Sequence, residues 1–280
     1  MPVFNEEKNI REVINGLFAH IDLVIAVDDC STDNSRLVLE SINNEKLIII
    51  HNEKNLGIGG ATKVGINKAL SLNADYIVKF DGDGQHLAED IPKFLTMLEE
   101  DNADFVKGNR FKSSVTDMPI TKLIGNLIST NLQKIVTGNF RISDPNNGFI
   151  AFKSKIFDRI QLKYLRNDYF FENSFLLNLV VHRYKITELP IDTIYGNEKS
   201  SIPILRGSIK IIPTFVKLLY LKNFLNTKYN LSMGSLIFFF INILTTIKIF
   251  NSELIEVKYI IYLIIIYSII EIINFLTTYE

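Results

Sequence analysis

Tryptophan is absent from the 280 residues, and Cys30 is the only cysteine. A single thiol excludes an internal disulfide and a cysteine-rich zinc site, and it fits a reducing compartment. Charge of one sign is lacking too: 30 basic side chains stand against 31 acidic ones, a net of −1. Nothing global therefore argues for nucleic acid as a partner. No basic-then-apolar leader opens the chain, which sets the expectation that a cleaved signal does not export its amino-terminal part. Up to about Arg206 there are no long apolar runs either, only short ones alternating with helical patterns.

Beyond that point the composition turns to Ile, Leu, Phe and Tyr, and this is the main boundary signal. It predicts an α/β globule over 1–206, interfacial helices over 207–230 and a two-helix transmembrane hairpin over 231–276. Segments 231–250 and 259–276 each approach the ~20 residues that cross a ~30 Å hydrocarbon core, and a polar loop, 251–258, joins them. A pair of buried helices is the alternative, because Asn242, Lys248, Glu271 and Asn274 fall inside. Lys248 can snorkel from near an end, whereas an ionised Glu271 needs a partner or a headgroup layer. Before the hairpin, 209–229 interleaves Lys210, Lys217, Lys222 and Lys228 with apolar residues. That suits helices lying in the plane of a membrane with their lysines towards anionic headgroups; packing on the globule is the alternative. The same lysines set the expectation of a multi-pass protein of the cell membrane with its globule in the cytoplasm.

Within the globule, Leu23-Val24-Ile25-Ala26-Val27 is apolar throughout and runs into Asp28-Asp29-Cys30-Ser31-Thr32-Asp33-Asn34-Ser35. A buried parallel strand, a polar turn and a helix make the doubly wound pattern, in which ligands collect at the carboxyl ends of strands. Residues 47–50 and 77–80 read as further strands. Asp28 or Asp29 can accept from a nucleobase N–H or a ribose hydroxyl, while Asp33 or Ser31 caps the next helix. Asn55-Leu56-Gly57-Ile58-Gly59-Gly60-Ala61 has a dinucleotide-like glycine spacing, but His51 to Lys54 separate it from the strand before it. The glycines serve close helix packing equally well, so a nicotinamide or flavin site is rejected. In Pro2-Val3-Phe4-Asn5-Glu6-Glu7, Asn5 and Glu6 either meet a nucleotide or place acid at a helix N-terminus.

The sharpest signal is Val78-Lys79-Phe80-Asp81-Gly82-Asp83-Gly84-Gln85-His86. Two aspartates at i and i+2 on an extended backbone point the same way, and the glycine between them lets the chain turn so that both meet one hard divalent cation. A cation with so few protein ligands keeps positions open for a diphosphate, which implies a nucleotide together with its metal. A polar turn after a strand is the plain alternative.

Taken in order, Pro-x-Phe-Asn-Glu-Glu, Val-Asp-Asp-x-Ser-Thr-Asp, Asn-x-Gly-x-Gly-Gly-Ala, Asp-Gly-Asp-Gly-Gln-His and Gly108-Asn109-Arg110-Phe111 resemble family 2 glycosyltransferases of the GT-A fold. Asp144-Pro145-Asn146-Asn147-Gly148-Phe149, Tyr169-Phe170-Phe171-Glu172-Asn173 and the stretch from Pro190 to Ser201 carry a narrower likeness, to polyprenyl-phosphate glycosyltransferases such as dolichyl-phosphate mannose and glucose synthases. The likeness covers roughly 1–222. It implies a Rossmann-like nucleotide-sugar domain, with Mg2+ or Mn2+ at Asp81, Asp83 and Gln85. Nucleotide contacts are implied from Pro2, Asn5, Glu6, Asp29 or its neighbour Asp28, and Asp81. Arg110 is expected to hold an acceptor phosphate. Lys122 is the nearest match to a second family arginine, and it lacks the bidentate fork. Lys199 or Arg206 is expected to close over the leaving group, and Glu172 to bind sugar hydroxyls or orient the acceptor.

The implied reaction is inverting transfer of a hexose or N-acetylhexosamine from a UDP- or GDP-linked donor to a polyprenyl phosphate at a membrane, with dolichol or undecaprenol and a homo-oligomer both open. Polysaccharide synthases of the family usually carry Gln-x-x-Arg-Trp, which a chain without tryptophan cannot. Transfer to a hydroxyl of a lipid-linked glycan or glycerolipid remains a rival, with Glu172 or Asp144 as base, and so does a non-catalytic membrane subunit that keeps the fold. Family members also carry a hydrophobic strand directly before Pro-x-Phe-Asn-Glu, where this chain has only Met1. The expectation is that this start lies inside a longer natural reading frame.

Overall fold

The structure, a computed structural model, describes residues 1–100, 103–110, 130 and 142–193. Lys122, Lys199, Arg206 and the segments 207–230 and 231–276 lie outside the described residues. Among the described residues no helix is long and apolar enough to cross a membrane.

Two sheets build the domain. In the first, β1 (Pro2–Val3), β2 (Val24–Asp28) and β3 (Leu47–His51) pair in parallel. The second runs in the order β4 (Tyr76–Lys79), β6 (Ile150–Lys153), β5 (Phe105–Asn109), β7 (Ile186–Pro190). β5 and β7 are parallel, whereas β6 is antiparallel to both its neighbours. Phe149 supplies the physical reason for the antiparallel strand. Its ring stacks on Phe94 at 4.1 Å and meets Phe80 edge-on at 5.0 Å. The chain is thereby pinned at the carboxyl end of β4, and it enters β6 from that end.

The helices follow their apolar spacing. In α1 (Ile10–Leu17), Ile10, Ile14 and Leu17 form one buried stripe. α2 (Ser35–Glu40) is short and buries Ser35 and Leu39. α3 (Ile58–Ser71) starts at Gly57, which has φ +79°, and a Cβ at Gly57 or Gly59 would overlap the backbone of Asn167 or Arg166. Gly60 N–H donates to the Asn167 carbonyl at 3.0 Å, so these glycines seat the helix on the 166–168 loop. α4 (Ile91–Glu99) has proline in its first turn, where no intrahelical N–H is needed, and buries Ile91, Phe94 and Leu98. α5 (Phe171–Val181) is buried on every side from Phe171 to Leu179, polar residues included. A helix enclosed all round carries its polar side chains inward, and that brings Glu172 under the sheet ends.

Candidate active site

The carboxyl end of β4 delivers Asp81 and Asp83 on a turn that Gly84 makes with φ +75°. Asp83 Oδ1 accepts the Gln85 N–H at 3.0 Å, which ties the turn to itself. A Cβ at Gly82 would lie 3.1 Å from Ile10 Cδ1 and 3.7 Å from both the Pro2 carbonyl oxygen and Glu6 Cγ. The glycine thus lets the Asp-Gly-Asp turn rest against the Pro2 to Glu6 segment, and the expected metal and nucleotide residues converge there.

Beneath the turn sits a buried lysine to which the sequence reading gave no role. Lys79 Nζ donates to Asp81 Oδ1 at 2.6 Å and to the Gly148 carbonyl at 3.3 Å, and it pairs with Glu172 Oε1 at 3.1 Å. Its side chain is 2% exposed. Burial alone would lower this amine, but the Asp81 and Glu172 charges outweigh burial and raise it. Burial would likewise raise Asp81, and the Lys79 charge instead holds it below the usual carboxylate range. The signal was present, since residues i and i+2 of a strand share a face, and Lys79 stands two before Asp81. A Cβ at Gly148 would collide with Asp81 Oδ2 and come within 2.8 Å of Lys79 Nζ, so a glycine is required where the 142–149 loop crosses this pair.

A second charged cluster lies beside the first. Arg110 grips Asp144 through two parallel bonds, Nε to Oδ2 at 2.7 Å and Nη2 to Oδ1 at 2.9 Å. Asp144 is fully buried. Burial pushes its carboxyl up, but the Arg110 hydrogen bonds and charge prevail and hold it low. Glu188 accepts the backbone N–H groups of Ser143 and Asp144 at 2.6 and 3.1 Å and the Asn109 amide at 2.7 Å. It locks the loop onto β5 and β7. Neither Glu188 nor Lys107 was expected from sequence.

Lys107 is fully buried and donates to the Asn147 carbonyl at 2.5 Å. Burial pulls its amine down to about 8 despite the nearby Glu172 and Asp144 carboxylates. The folded amine therefore gives up its proton near pH 8, while the unfolded one holds it to ~10.4. Between those values the unfolded chain binds more proton, so stability rises with pH by up to ~1.4 kcal/mol per unit from this group. Lys107→Met is expected to flatten that rise in urea unfolding at pH 8 and pH 10; an unchanged slope would show that Lys107 does not titrate in this window.

At the carboxyl end of β2 the two aspartates left open above have different partners. Asp28 commits both oxygens to the chain itself, Oδ1 to the Ser31 N–H at 3.0 Å and Oδ2 to His51 Nδ1 at 3.1 Å. These bonds hold the loop. Both side-chain bonds of Asp29, from the Asn52 amide and the Leu56 N–H at 2.8 Å each, go to Oδ1, which leaves Oδ2 as the acceptor. Asn5, at φ +58°, accepts the Thr32 N–H at 2.8 Å, and the Glu6 N–H donates to Ser35 Oγ at 2.7 Å. These bonds lace the 4–7 segment to the 28–35 loop and fix its position above the turn.

The donor set suits a hard divalent cation, with two carboxylates and an amide oxygen from one five-residue turn and no thiol or free imidazole among them. His86 stays with the rings of Phe80 and Phe149, at 5.8 and 5.3 Å, and burial lowers it to about 4, so it is neutral. Among the described residues no group of three or more His, Cys, Asp or Glu side chains could hold a metal alone. Of the expected residues, Pro2, Glu6, Asp81, Asp83, Gln85 and Glu172 come together; Arg110 stands beside them on Asp144.

Comparison with known proteins identifies the family and the fold. The family model described as glycosyl transferase family 2 matches residues 1–161. The UDP-N-acetylglucosamine–dolichyl-phosphate N-acetylglucosaminyltransferase of Methanococcus voltae is 33% identical over 241 residues, covering 79% of this chain and 94% of that protein. The polyprenol monophosphomannose synthase of Mycolicibacterium smegmatis is 21% identical over 199 residues, 68% of this chain and 74% of its own. Among solved structures, glucosyl-3-phosphoglycerate synthase from Mycobacterium tuberculosis, in complex with Mn2+, UDP-glucose and phosphoglyceric acid, superposes with a TM-score of 0.57. It is 17% identical, over 78% of this chain and 77% of that one. The likeness fixes the fold as the GT-A type of nucleotide-sugar domain.

Proposed function

We propose, for a chain that belongs to glycosyl transferase family 2, that this glycosyltransferase moves a sugar from a UDP-linked donor to the phosphate of a polyprenyl phosphate. The observation that carries this reading is the state of the carboxylates. Transfer to a hydroxyl needs a general base, and the two candidates, Glu172 and Asp144, are engaged by Lys79 and Arg110. A phosphate monoester has its second pKa near ~6, so at neutral pH it is already an anionic nucleophile. The chain then has to supply alignment and positive charge, not proton abstraction. The names of the two curated relatives, one a dolichyl-phosphate and one a polyprenol-phosphate enzyme, support the same acceptor class.

In this reading Asp29 Oδ2 and the 4–7 segment orient the nucleotide, and Asp81, Asp83 and Gln85 would hold Mg2+ or Mn2+. A cation there would supply Lewis-acid charge to the departing diphosphate. Arg110, fixed in plane by Asp144, and Lys122 hold the acceptor phosphate, while Lys199 or Arg206 closes over the leaving group. Glu172, immobilised by Lys79, faces the sugar hydroxyls as an acceptor of hydrogen bonds. Direct displacement inverts the anomeric centre. The lysine-rich stretch 209–229 and the apolar segments 231–250 and 259–276 would keep the globule on the cytoplasmic face of the membrane, where a lipid phosphate sits.

The test is incubation of membranes carrying the protein with labelled UDP-N-acetylglucosamine, UDP-glucose or GDP-mannose and a short polyprenyl phosphate. A labelled product that partitions into organic solvent only with a divalent cation is expected. Label released solely as free sugar with every donor would contradict the proposal.

A further inference from the structure

Consecutive residues at the end of β3 hold consecutive aspartates at the end of β2. The parallel register sets His51 beside Asp28, and the next residue, Asn52, donates its amide to Asp29 Oδ1 at 2.8 Å. His51 does more than its neighbour, because both of its ring nitrogens face a carboxylate. Nδ1 lies 3.1 Å from Asp28 Oδ2, and Nε2 lies 3.4 Å from Glu40 Oε1. Burial would raise the Asp28 carboxyl, but the hydrogen bonds from Ser31 and His51 hold it below the usual carboxylate range. An ionised carboxylate only accepts, so Nδ1 carries a proton and donates it. Glu40 ends α2 and is itself fixed by Arg36 Nε at 2.9 Å. The imidazole thus ties the strand that leads into the 28–35 loop to the helix that leads out of it.

The loop needs such a tie. Cys30 has φ +62°, a left-handed conformation that costs a non-glycine residue free energy, and the Asp28 Oδ1 bond to the Ser31 N–H at 3.0 Å spans it. Ser31 Oγ in turn accepts the Asn5 N–H at 3.1 Å, and Asn5 Oδ1 accepts the Thr32 N–H at 2.8 Å. A run of hydrogen bonds therefore leads from His51 through Asp28 and Ser31 to the 4–7 segment, with Asp29 inside the same turn. Without the imidazole, one side of Asp28 loses its donor, the carboxylate can rotate, and Cys30 can relax out of its left-handed conformation.

We propose that His51 is a positioning residue: by holding Asp28 it fixes the loop that presents Asp29 and the 4–7 segment to the nucleotide. This rests on the reading of those residues as nucleotide contacts. The ring, 24% exposed, is committed to Asp28 and Glu40. Its effect falls on donor binding rather than on the chemical step, because the run of bonds ends at the 4–7 segment, short of Arg110 and Glu172.

Two near-isosteric substitutions separate positioning from packing. The amide nitrogen of His51→Asn takes the place of Nδ1 and keeps the bond to Asp28, whereas that of His51→Gln takes the place of Nε2 and reaches Glu40 alone. Calorimetry on the full chain with UDP and Mn2+ should show His51→Gln weakening UDP about tenfold, the worth of one hydrogen bond to a charged group, and His51→Asn restoring most of that loss. In membranes with labelled UDP-N-acetylglucosamine and a short polyprenyl phosphate, His51→Gln should raise the donor KM by the same factor, with kcat and the acceptor KM within about twofold of the unsubstituted chain. Equal UDP affinities for the two variants would overturn the proposal, as would a fall in kcat that tracks a fall in Tm, the mark of a merely structural side chain. An unsubstituted chain that binds no UDP would overturn the nucleotide reading itself, and this proposal with it.

Discussion

Lys79→Met is expected to be the most damaging single change in the domain. Lys79 is 2% exposed and stands between Asp81 and Glu172 at 2.6 and 3.1 Å. Removing it leaves the buried Glu172 carboxylate and the partly buried Asp81 carboxylate with no cation between them. Breaking a buried ion pair from one side costs about 3–5 kcal/mol, because the remaining charge is left uncompensated. For a domain of this size that is roughly a 10 °C fall in Tm. Transfer should fall by about 100-fold or more, since Asp81 loses the bond that aims it. Glu172→Gln in the same background removes one of the two stranded charges and should restore several degrees of Tm while transfer stays low. Thermal melts of the single and double variants check this, and a Lys79→Met protein with unchanged Tm would show that the pair contributes nothing to the fold.

Asp83 gives the second large effect, and it separates chemistry from folding. Its Oδ1 accepts the Gln85 N–H at 3.0 Å, a bond that Asp83→Asn preserves. That variant keeps the turn bond and loses the negative charge. If the charge holds a cation worth several kcal/mol in the transition state, transfer should fall by roughly 1,000-fold while Tm moves by less than ~2 °C. Asp83→Ala removes the turn bond as well and should add a small loss of stability, about 1 kcal/mol. Manganese titration followed by electron paramagnetic resonance, in the presence of UDP, supplies the readout independent of turnover. Asp83→Asn should weaken Mn2+ binding at least tenfold, and wild-type Mn2+ binding in that variant would take the metal away from Asp83.

Much of this site was legible in the chain because its parts are local. The strands at 24–28, 47–51 and 76–79 fall within a residue or two of the apolar runs that announced them, and the Asp81 to Gln85 turn carries its glycines in sequence. What sequence could not show is set by long-range pairing. Lys79 and Glu172 are 93 positions apart, and only the full burial of α5 brings them together. β6 is a four-residue strand whose antiparallel entry depends on the Phe149 ring finding Phe94 and Phe80. The His51 partner of Asp28 stands at the end of β3, and no local pattern near residue 28 reveals it. The glycines of 57–60 carried a motif-like spacing, and their use turned out to be steric, against the backbone of residues 166 and 167.

The central claim is that the acceptor brings its own negative charge, so that the ion-paired carboxylates need not act as bases. A matched pair of acceptors of equal chain length, polyprenyl phosphate and the corresponding free polyprenol, tests it most directly in the same vesicles with the same labelled donor. Label should appear in lipid from the phosphate alone, at a rate that rises with pH through ~6 and then levels as the monoester ionises. Comparable transfer to the free alcohol would contradict the account and return Glu172 or Asp144 to the role of base.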